Sequence, residues 1–220
     1  MAAGEGRRMR PLTERYAKPV LPIDGRPVLA TLLRELAAAA IARITLVTGH
    51  LAEQVEALAG DGSAFGVEVR FVRQPRPDGS ADAVLRAGLT PPYLVLAADT
   101  VFAEGDVARF AERFLDRPSA GAVAVRKHPE KDPIRIEGGR VRVTHDPGGA
   151  GPWTGAPLWG LGAEVAPHLG LDERPYELTS AYQRAIDAGA EVAAIQIGPT
   201  RDLTFPLDLL EENFPYVASL

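Results

Sequence analysis

The segment with the clearest chemical potential is the start of the chain, residues 2–13 (AAGEGRRMRPLT). Gly4 and Gly6 let the backbone approach a ligand closely and turn its N–H groups towards that ligand. The arginines that follow offer paired N–H donors that match phosphate oxygens. The segment therefore indicates a phosphate-binding loop, although its composition alone fits an Arg-rich surface terminus equally well.

Two further polar side chains lie where ligands commonly bind. Prolines hold residues 18–27 (KPVLPIDGRP) extended and leave Lys18 at the start, as a phosphate ligand or as a solvated lysine. Asp99 follows the apolar run of residues 93–98 (YLVLAA), and ligands bind at the carboxyl ends of strands in open α/β sheets. A carboxylate there suits Mg²⁺, with helix capping or a turn as the alternative.

Strand-like and helix-like segments alternate along the chain, which predicts an α/β fold with a largely parallel sheet. We interpret residues 1–220 as one domain whose two halves, 1–126 and 127–220, share that sheet. The predicted strands are residues 43–48, 67–72, 93–98, 121–126, 156–161 and 191–197, with a hairpin over 134–144. The predicted helices are residues 28–40, 51–59, 81–87, 106–115, 175–188 and 206–213.

Composition excludes several classes of protein. The chain has 220 residues, a net charge of −5 and no cysteine, so disulfides and zinc thiolates are excluded. The acidic balance without a basic run argues against nucleic acid as a partner. There is no apolar run of the ~18–20 residues that a membrane span needs and no signal-peptide pattern. We therefore expect a cytoplasmic protein without a membrane partner.

The motifs together resemble those of the sugar-phosphate nucleotidylyltransferases, which include thymidylyl- and guanylyltransferases. Residues 2–13 and 18–27 are similar to the family's AAGxGTRMxPLT and PKPxLPxxGKP signatures, with Arg7 for Thr. Residues 74–81 (QPRPDGSA) resemble its QxxxxGTA element, and Ala98-Asp99 its GD motif. Residues 201–213 (RDLTFPLDLLEEN) resemble its closing WxDxxTPxDLLxAN stretch. The resemblance implies a Rossmann-like three-layer α/β/α sandwich with a mixed, mostly parallel sheet.

The resemblance also implies roles for the residues of the first two motifs. The glycine-rich loop, with Ala3, Gly4 and Gly6, wraps the triphosphate of a nucleotide. Arg8 stands where the family's loop arginine stabilises the phosphates during transfer. Lys18 stands where the lysine of the PKP motif contacts the phosphates, although Ala17 replaces the preceding proline.

The remaining motifs imply base recognition and metal binding. Gln74, Gly79 and Ser80 match the element that recognises the base, and Gln74 offers both a donor and an acceptor to a pyrimidine edge. Ser80 is also a predicted N-cap for the helix that follows it. Asp99 and Asp202 match the two Mg²⁺ ligands, so Mg²⁺ is the expected cofactor.

One departure concerns the acceptor. Many family members carry an EKP motif whose lysine grips the sugar phosphate, whereas residues 145–147 here read HDP. Either another cation, such as Lys127 or Arg142, takes that role, or the acceptor differs. We predict Gly155 and Glu177 as acceptor contacts.

The reaction expected from these motifs joins a nucleoside triphosphate, with UTP or dTTP favoured, to a sugar 1-phosphate. Residues 1–126 would bind the nucleotide and residues 127–220 the acceptor. Two alternatives stay open: a non-catalytic, nucleotide-sensing relative, or the same chemistry on a phospho-alcohol such as phosphocholine. The sequence does not determine the oligomeric state, and a homo-oligomer is one of the open alternatives.

A final expectation concerns the first strand. In the family a central strand precedes the glycine-rich loop, whereas Met1 here already lies within the loop. We therefore expect that the first central strand is missing from this sequence and that the true start lies upstream.

Overall fold

The computed structural model describes residues 1–117, 120–127, 133–149, 151–170 and 174–214. The helices are α1 (Val28–Ala38), α2 (Ala52–Ala59), α3 (Ser80–Ala87), α4 (Asp106–Leu115), α5 (Leu178–Asp187) and α6 (Pro206–Asn213). The strands of the first half are β1 (Pro22–Ile23), β2 (Arg26–Pro27), β3 (Arg43–Thr48), β4 (Glu68–Arg73), β5 (Tyr93–Leu96) and β6 (Thr100–Val101). Those that follow are β7 (Gly121–Lys127), β8 (Arg135–Glu137), β9 (Arg140–Val143), β10 (Trp153–Leu161), β11 (Val192–Gln196) and β12 (Arg201–Asp202).

Most elements form where the apolar periodicity predicts them. In α4 the buried side chains include Val107, Phe110, Ala111 and Phe114, which lie on one face at helical spacing. The predicted bounds of β3, α4 and α6 agree with the structure to the residue. Helix α5 begins at Leu178 rather than at residue 175, so Pro175 lies outside the helix.

The chain folds into two compact units that alternate along the sequence. Unit 1 consists of Met1–Pro77, Ala97–Gly105 and the chain from Thr200 onward, and unit 2 of Asp78–Leu96 and Asp106–Pro199. The sequence predicted instead two halves divided at residue 126. Contacts divide the chain differently because short segments from the middle and from residue 200 onward pair with the N-terminal part.

Unit 1 contains three short pairs of strands. Strands β3 and β4 are parallel and in register from Arg43 with Glu68 to Thr48 with Arg73. Strands β1 and β2 are antiparallel, as are β6 and β12. A cluster of buried apolar side chains packs beside these pairs and comprises Met9, Leu21, Ile23, Val28 and Leu203.

Unit 2 is built on a six-stranded mixed sheet with the order β5-β10-β7-β11-β9-β8. Within it, β11 and β7 are parallel, whereas the other neighbouring pairs are antiparallel. The predicted mixed sheet is therefore present, but the expectation that it is mostly parallel is wrong. Apolar runs identify buried strands without giving their direction, and the β8–β9 hairpin and the long strand β10 supply the antiparallel pairs. The hairpin turns at Gly138 and Gly139, as predicted.

Within the described ranges, no helix has both the length and the apolar character needed to cross a membrane.

Candidate functional site

In unit 1, the glycine-rich loop follows a short strand-like contact. The N–H of Ala2 donates to the carbonyl of Val47 at 2.7 Å, and Ala2 forms an isolated parallel bridge with Thr48. The carbonyl of Met1 accepts from the N–H of Ala98 at 2.9 Å. The first two residues therefore lie between the end of β3 and the segment that leads to Asp99.

The two glycines of the loop have different structural roles. Gly6 has φ +60°, and a Cβ on it would lie 2.9 Å from Cγ2 of Thr13. The hydroxyl of Thr13 also donates to the carbonyl of Gly6 at 2.9 Å, so this glycine is needed to fold the loop. Gly4 has no atom within 4 Å of such a Cβ. Its backbone is therefore open to a ligand.

The arginines of the loop differ in how their charge is used. The guanidinium of Arg7 lies 2.7 Å from the carboxylate of Glu5, and that of Arg10 lies 3.6 Å from it. The hydrogen bond from Arg7 lowers the pKa of Glu5. Arg8 makes no ion pair with a carboxylate in the described part of the chain and instead lies 5.9 Å from the centroid of the Phe205 ring. Arg8 is therefore the arginine whose charge is left for an anion.

Lys18 and Asp99 form an ion pair. Nζ of Lys18 lies 2.5 Å from Oδ2 of Asp99, and the Lys18 side chain is only 14% exposed. The segment that carries Lys18 is held by Gln54 of α2, which accepts from the N–H of Ala17 at 2.9 Å and donates to the carbonyl of Arg15 at 2.7 Å. The predicted phosphate ligand and the predicted metal ligand are therefore brought into direct contact.

Asp202 lies on the strand that pairs with the one after Asp99. In the antiparallel pair of β6 and β12, Asp202 faces Thr100. Facing residues in such pairs have Cα atoms about 4.5–5.5 Å apart, so Asp202 is a near neighbour of Asp99. The hydroxyl of Thr204 donates to Oδ2 of Asp202 at 2.9 Å. The backbones of the two predicted metal ligands therefore lie close together.

Strand β12 is fixed by its first residue. Arg201 lies 2.6 Å from the carboxylate of Asp24 and 2.5 Å from that of Glu212. These two carboxylates raise the pKa of Arg201, and Arg201 in turn lowers the pKa of Asp24. The Arg201 guanidinium thus ties the strand that carries Asp202 to the β1–β2 turn and to α6.

The carboxylates of Asp99 and Asp202 are suitable ligands for a hard cation, but they could fill only part of its coordination shell. Carboxylate oxygens are the ligands that Mg²⁺ prefers, and Mg²⁺ keeps several waters or substrate oxygens as its other ligands. No group of three or more His, Cys, Asp or Glu side chains that could enclose a metal occurs among the described residues. Asp99 and Asp202 would thus leave most coordination positions to water and substrate.

Gln74 lies at the carboxyl end of β4, close to the glycine-rich loop. Its N–H donates to the carbonyl of Thr48 at 2.7 Å, and the residue is only 5% exposed. A Cβ on Gly49 would lie 2.8 Å from the carbonyl oxygen of Ala3 and 3.0 Å from that of Gln74. Gly49 therefore permits the close approach of these two predicted nucleotide contacts. The motifs did not single out Gly49, although a glycine directly after the apolar run of β3 was a usable signal.

Four of the predicted site residues lie in unit 2, and two of them join α3 to the start of α5. Gly79 has φ +120°, and a Cβ on it would lie 2.5 Å from the carbonyl oxygen of Tyr176. The hydroxyl of Ser80 donates to Oε2 of Glu177 at 2.6 Å and accepts from the N–H of Leu178 at 2.7 Å. The prediction that Ser80 caps α3 is wrong, because Gly79 is the N-cap residue and the Ser80 hydroxyl serves α5 instead.

Gly155 lines an open cavity of about 180 Å³ in unit 2. A Cβ on Gly155 would lie 2.9 Å from Cδ1 of Ile134, and the lining also includes Pro157, Trp159 and Tyr182. Within the described part of unit 2, no Lys or Arg lines this cavity.

The two cations suggested as replacements for the EKP lysine lie elsewhere. Nζ of Lys127 lies 5.7 Å from the ring centroid of Trp153. The guanidinium of Arg142 lies 3.5 Å from the carboxylate of Glu137. Neither is thereby placed on the cavity beside Gly155, and Glu177 does not line it either.

Comparison with known proteins gives one family. Residues 1–135 match the family described as nucleotidyl transferase. A glucose-1-phosphate thymidylyltransferase of Streptomyces antibioticus is 29% identical over 97% of this chain and 64% of its own length. A CMP-5'-(3-aminopropyl)phosphonate synthase of Streptomyces rubellomurinus is 34% identical over 64% of this chain and 22% of its own length. The chain thus spans less than two thirds of the length of these relatives.

A solved structure shares the fold. A crystal structure of a protein assigned as glucose-1-phosphate thymidylyltransferase from Bacillus anthracis superposes with a TM-score of 0.84 at 18% identity. The likeness covers 96% of this chain and 91% of the other. It confirms the predicted Rossmann-like α/β fold class.

Proposed function

Because the chain belongs to the nucleotidyl transferase family, we propose that it joins a nucleoside triphosphate to a sugar 1-phosphate and releases pyrophosphate. The observation that carries the proposal is the arrangement in unit 1 of the Lys18–Asp99 ion pair, at 2.5 Å, beside Asp202 on the paired strand. A cation and two carboxylates on neighbouring segments are groups that phosphate transfer can use, because its transition state is stabilised chiefly by charge and position.

The proposed reaction is a displacement at the α-phosphorus of the nucleotide. An oxygen of the acceptor phosphate forms the new bond in line, and the bond to pyrophosphate breaks. The acceptor phosphate is already an anion at neutral pH, so no general base is required. The residues proposed for the site fit such a reaction, because Arg8 and Lys18 are cations for the phosphates and the two aspartates are metal ligands rather than bases.

Each residue of unit 1 has a part in this proposal. Arg8 and Lys18 would bind the phosphates and balance the charge of the departing pyrophosphate. The open backbone at Gly4 would approach the triphosphate, and Gln74 at the end of β4 would contribute to recognition of the base. Asp99 and Asp202 would hold Mg²⁺, which when bound supplies positive charge to the phosphate oxygens.

The nucleotide that we favour is dTTP or UTP. A glutamine amide pairs a donor with an acceptor, as the edge of a pyrimidine does. The relative from Streptomyces antibioticus, which matches nearly the whole chain, is named as a thymidylyltransferase. Ala3, Gly79 and Ser80 complete the set of residues proposed for nucleotide binding.

A second candidate acceptor is a small phospho-alcohol, such as phosphocholine, or a phosphonate. The cavity beside Gly155 is lined mainly by apolar side chains, with Thr144 and Thr179 as polar members. The hydroxyl of Thr144 already donates to the carbonyl of Thr179 at 3.1 Å. Few polar groups are thus left for the hydroxyls of a sugar, and one relative is named as a CMP-5'-(3-aminopropyl)phosphonate synthase.

The test is a matrix of substrates with Mg²⁺, read by release of pyrophosphate. It pairs ATP, CTP, GTP, UTP and dTTP with glucose 1-phosphate, mannose 1-phosphate, phosphocholine and an aminoalkyl phosphonate. We expect release with dTTP or UTP and one sugar 1-phosphate. Release only with phosphocholine or the phosphonate would show that the acceptor is that compound and not a sugar 1-phosphate. No release in any pairing, together with measurable binding of a nucleotide, would establish a non-catalytic sensing protein instead.

A further inference from the structure

Phe205 is a large aromatic side chain that remains 54% exposed at the start of α6. The neighbouring apolar cluster of unit 1 contains Met9 and Leu203, with Leu209 packed against it, but it does not contain Phe205. Burial therefore does not account for this ring. The contact that the structure gives it is with Arg8, whose guanidinium carbon lies 5.9 Å from the ring centroid.

The backbone that carries the ring is held firmly. The carboxylate of Asp208 accepts from the N–H of Thr204 at 2.6 Å and from that of Phe205 at 2.8 Å. The hydrogen bond from the N-cap N–H to the carboxylate of the third helical residue is half of a capping box. Pro206 adds a fixed φ at the first helical position. The ring therefore projects from a rigid helix start.

The same segment is connected to the site. The hydroxyl of Thr204, the residue before Phe205, donates to the carboxylate of Asp202 at 2.9 Å. Hydrogen bonds thus connect the predicted metal ligand, through Thr204, to the backbone that carries the ring.

Arg8 needs such a support. Its neighbours Arg7 and Arg10 are both tied to Glu5, whereas Arg8 has no ion pair with a described carboxylate. A long side chain without a partner samples many rotamers, and fixing it at the moment of reaction costs entropy. The face of an aromatic ring attracts a guanidinium and favours one position for it.

We propose that Phe205 is a positioning residue that holds the Arg8 guanidinium over its ring, ready for the phosphates of the nucleotide. The inference rests on the proposed function, because it assigns the ring a part in that same reaction. The ring itself touches no reacting atom. It acts through Arg8, so its removal should weaken the use of the triphosphate and leave the use of the acceptor unchanged.

The first test is a series of substitutions at this position. An exposed cation–π contact contributes about 0.5–1 kcal/mol, so Phe205→Leu should lower kcat/KM for the nucleotide about two- to five-fold. Phe205→Tyr and Phe205→Trp keep an aromatic face and should retain the wild-type value. KM for the acceptor should not change in any of them. Leu207→Ala is the matched control, since Leu207 is exposed to 59% on the same helix and carries no aromatic ring.

The decisive test is a double-mutant cycle with Arg8→Ala. If the ring acts through Arg8, Phe205→Leu should have no further effect once Arg8 is Ala. An equal loss in both backgrounds, an equal loss in Leu207→Ala, or an unchanged or higher kcat/KM in Phe205→Leu would each overturn the inference. Thermal melting of every variant would identify a loss that is due to unfolding.

A failure of the proposed function would be recognised separately. If the wild type releases no pyrophosphate from any pairing, the same four proteins of the cycle are compared for their affinity for dTTP and UTP by calorimetry. The same coupling is expected there, because the support of Arg8 would act on binding of the triphosphate. Additive effects on affinity would then refute the role of Phe205.

Discussion

At the scale of single residues, the site depends on which charged groups already have partners. Arg7 and Arg10 share Glu5, Lys18 is paired with Asp99, and Arg8 alone of these cations lies over a ring instead of beside a described carboxylate. The sequence identifies all of these residue types but not their pairing. Only the positions of atoms distinguish the arginine that is available to an anion from its neighbours.

Removing either a charge-bearing arginine or a predicted metal ligand should abolish most turnover. Arg8→Ala and Asp99→Asn should each lower kcat on the order of 10²-fold or more, which is the usual effect of losing a group that stabilises the transition state electrostatically. The measurement is release of pyrophosphate at saturating substrates. Arg7→Ala is the matched control, because Arg7 is exposed and bound to Glu5, and it should lose far less. Near-normal turnover of Asp99→Asn would remove the aspartate from the site.

Tyr93 should make the free energy of unfolding decrease at alkaline pH. Burial raises the pKa of Tyr93 from 10 to about 12. Between pH 10 and pH 12 the unfolded chain therefore loses the phenol proton while the folded protein keeps it. The unfolded state then binds fewer protons, so the free energy of unfolding decreases as the pH rises through this window.

Urea denaturation at pH 9, 10, 11 and 12 would measure this dependence. Tyr93→Phe should make the slope between pH 10 and 12 shallower, because the variant has no proton to lose at this position. A slope identical to that of the wild type would show that Tyr93 titrates alike in both states.

At the scale of elements, the sequence predicts helices and strands well and their connections poorly. The apolar spacing of β3 and α4 predicts their bounds, because each of them buries apolar side chains. Spacing could not predict that Ser80 would bond to the start of α5 instead of capping α3, since that depends on residues about a hundred positions away. The direction of β10 relative to its neighbours was unpredictable for the same reason.

The joint between α3 and α5 gives a prediction about stability. Gly79→Ala should destabilise the protein by about 2 kcal/mol or more, because the residue has φ +120° and the added Cβ would meet the backbone of Tyr176 at 2.5 Å. Gly148→Ala is the matched control in the same unit, with no atom within 4 Å of its Cβ, and it should be close to neutral. Thermal and urea unfolding of both variants would measure the difference.

If Gly79→Ala were as stable as Gly148→Ala, the close approach to Tyr176 would not be a tight constraint. The roles of Gly79 and Ser80 in nucleotide binding are a separate prediction. Affinity for dTTP or UTP in Ser80→Ala would test it, since that variant removes the hydroxyl and keeps the backbone.

At the scale of the whole molecule, the family could be predicted from a few short motifs while the organisation could not. The family resemblance is confirmed by the match over residues 1–135, which includes the motifs at 2–13 and 18–27, and the solved structure confirms the fold class. The interleaved units were not foreseen, because a motif read along the chain does not show that Asp99 and Asp202 lie on paired strands. The substrate, the Mg²⁺ requirement and the residue roles stay predictions.

Removal of divalent cations should separate activity from folding. Asp99 is paired with Lys18, and Asp202 accepts from Thr204, so both carboxylates have partners within the protein. A chelator should therefore abolish release of pyrophosphate and leave Tm unchanged. Added Mg²⁺ should restore the activity. A large fall in Tm with the chelator would instead indicate a metal that the fold requires.

The interleaving of the units also constrains the order in which the protein can fold during synthesis. Both segments of unit 2 have been translated by residue 199, whereas unit 1 lacks β12 until the chain from Thr200 onward has been made. Domains generally begin to fold as they emerge from the ribosome. Strand β6 therefore remains without its partner strand while about a hundred residues of the other unit are produced. The pair of aspartates is consequently among the last features to assemble, and a polypeptide arrested before that point would carry the glycine-rich loop without its second carboxylate.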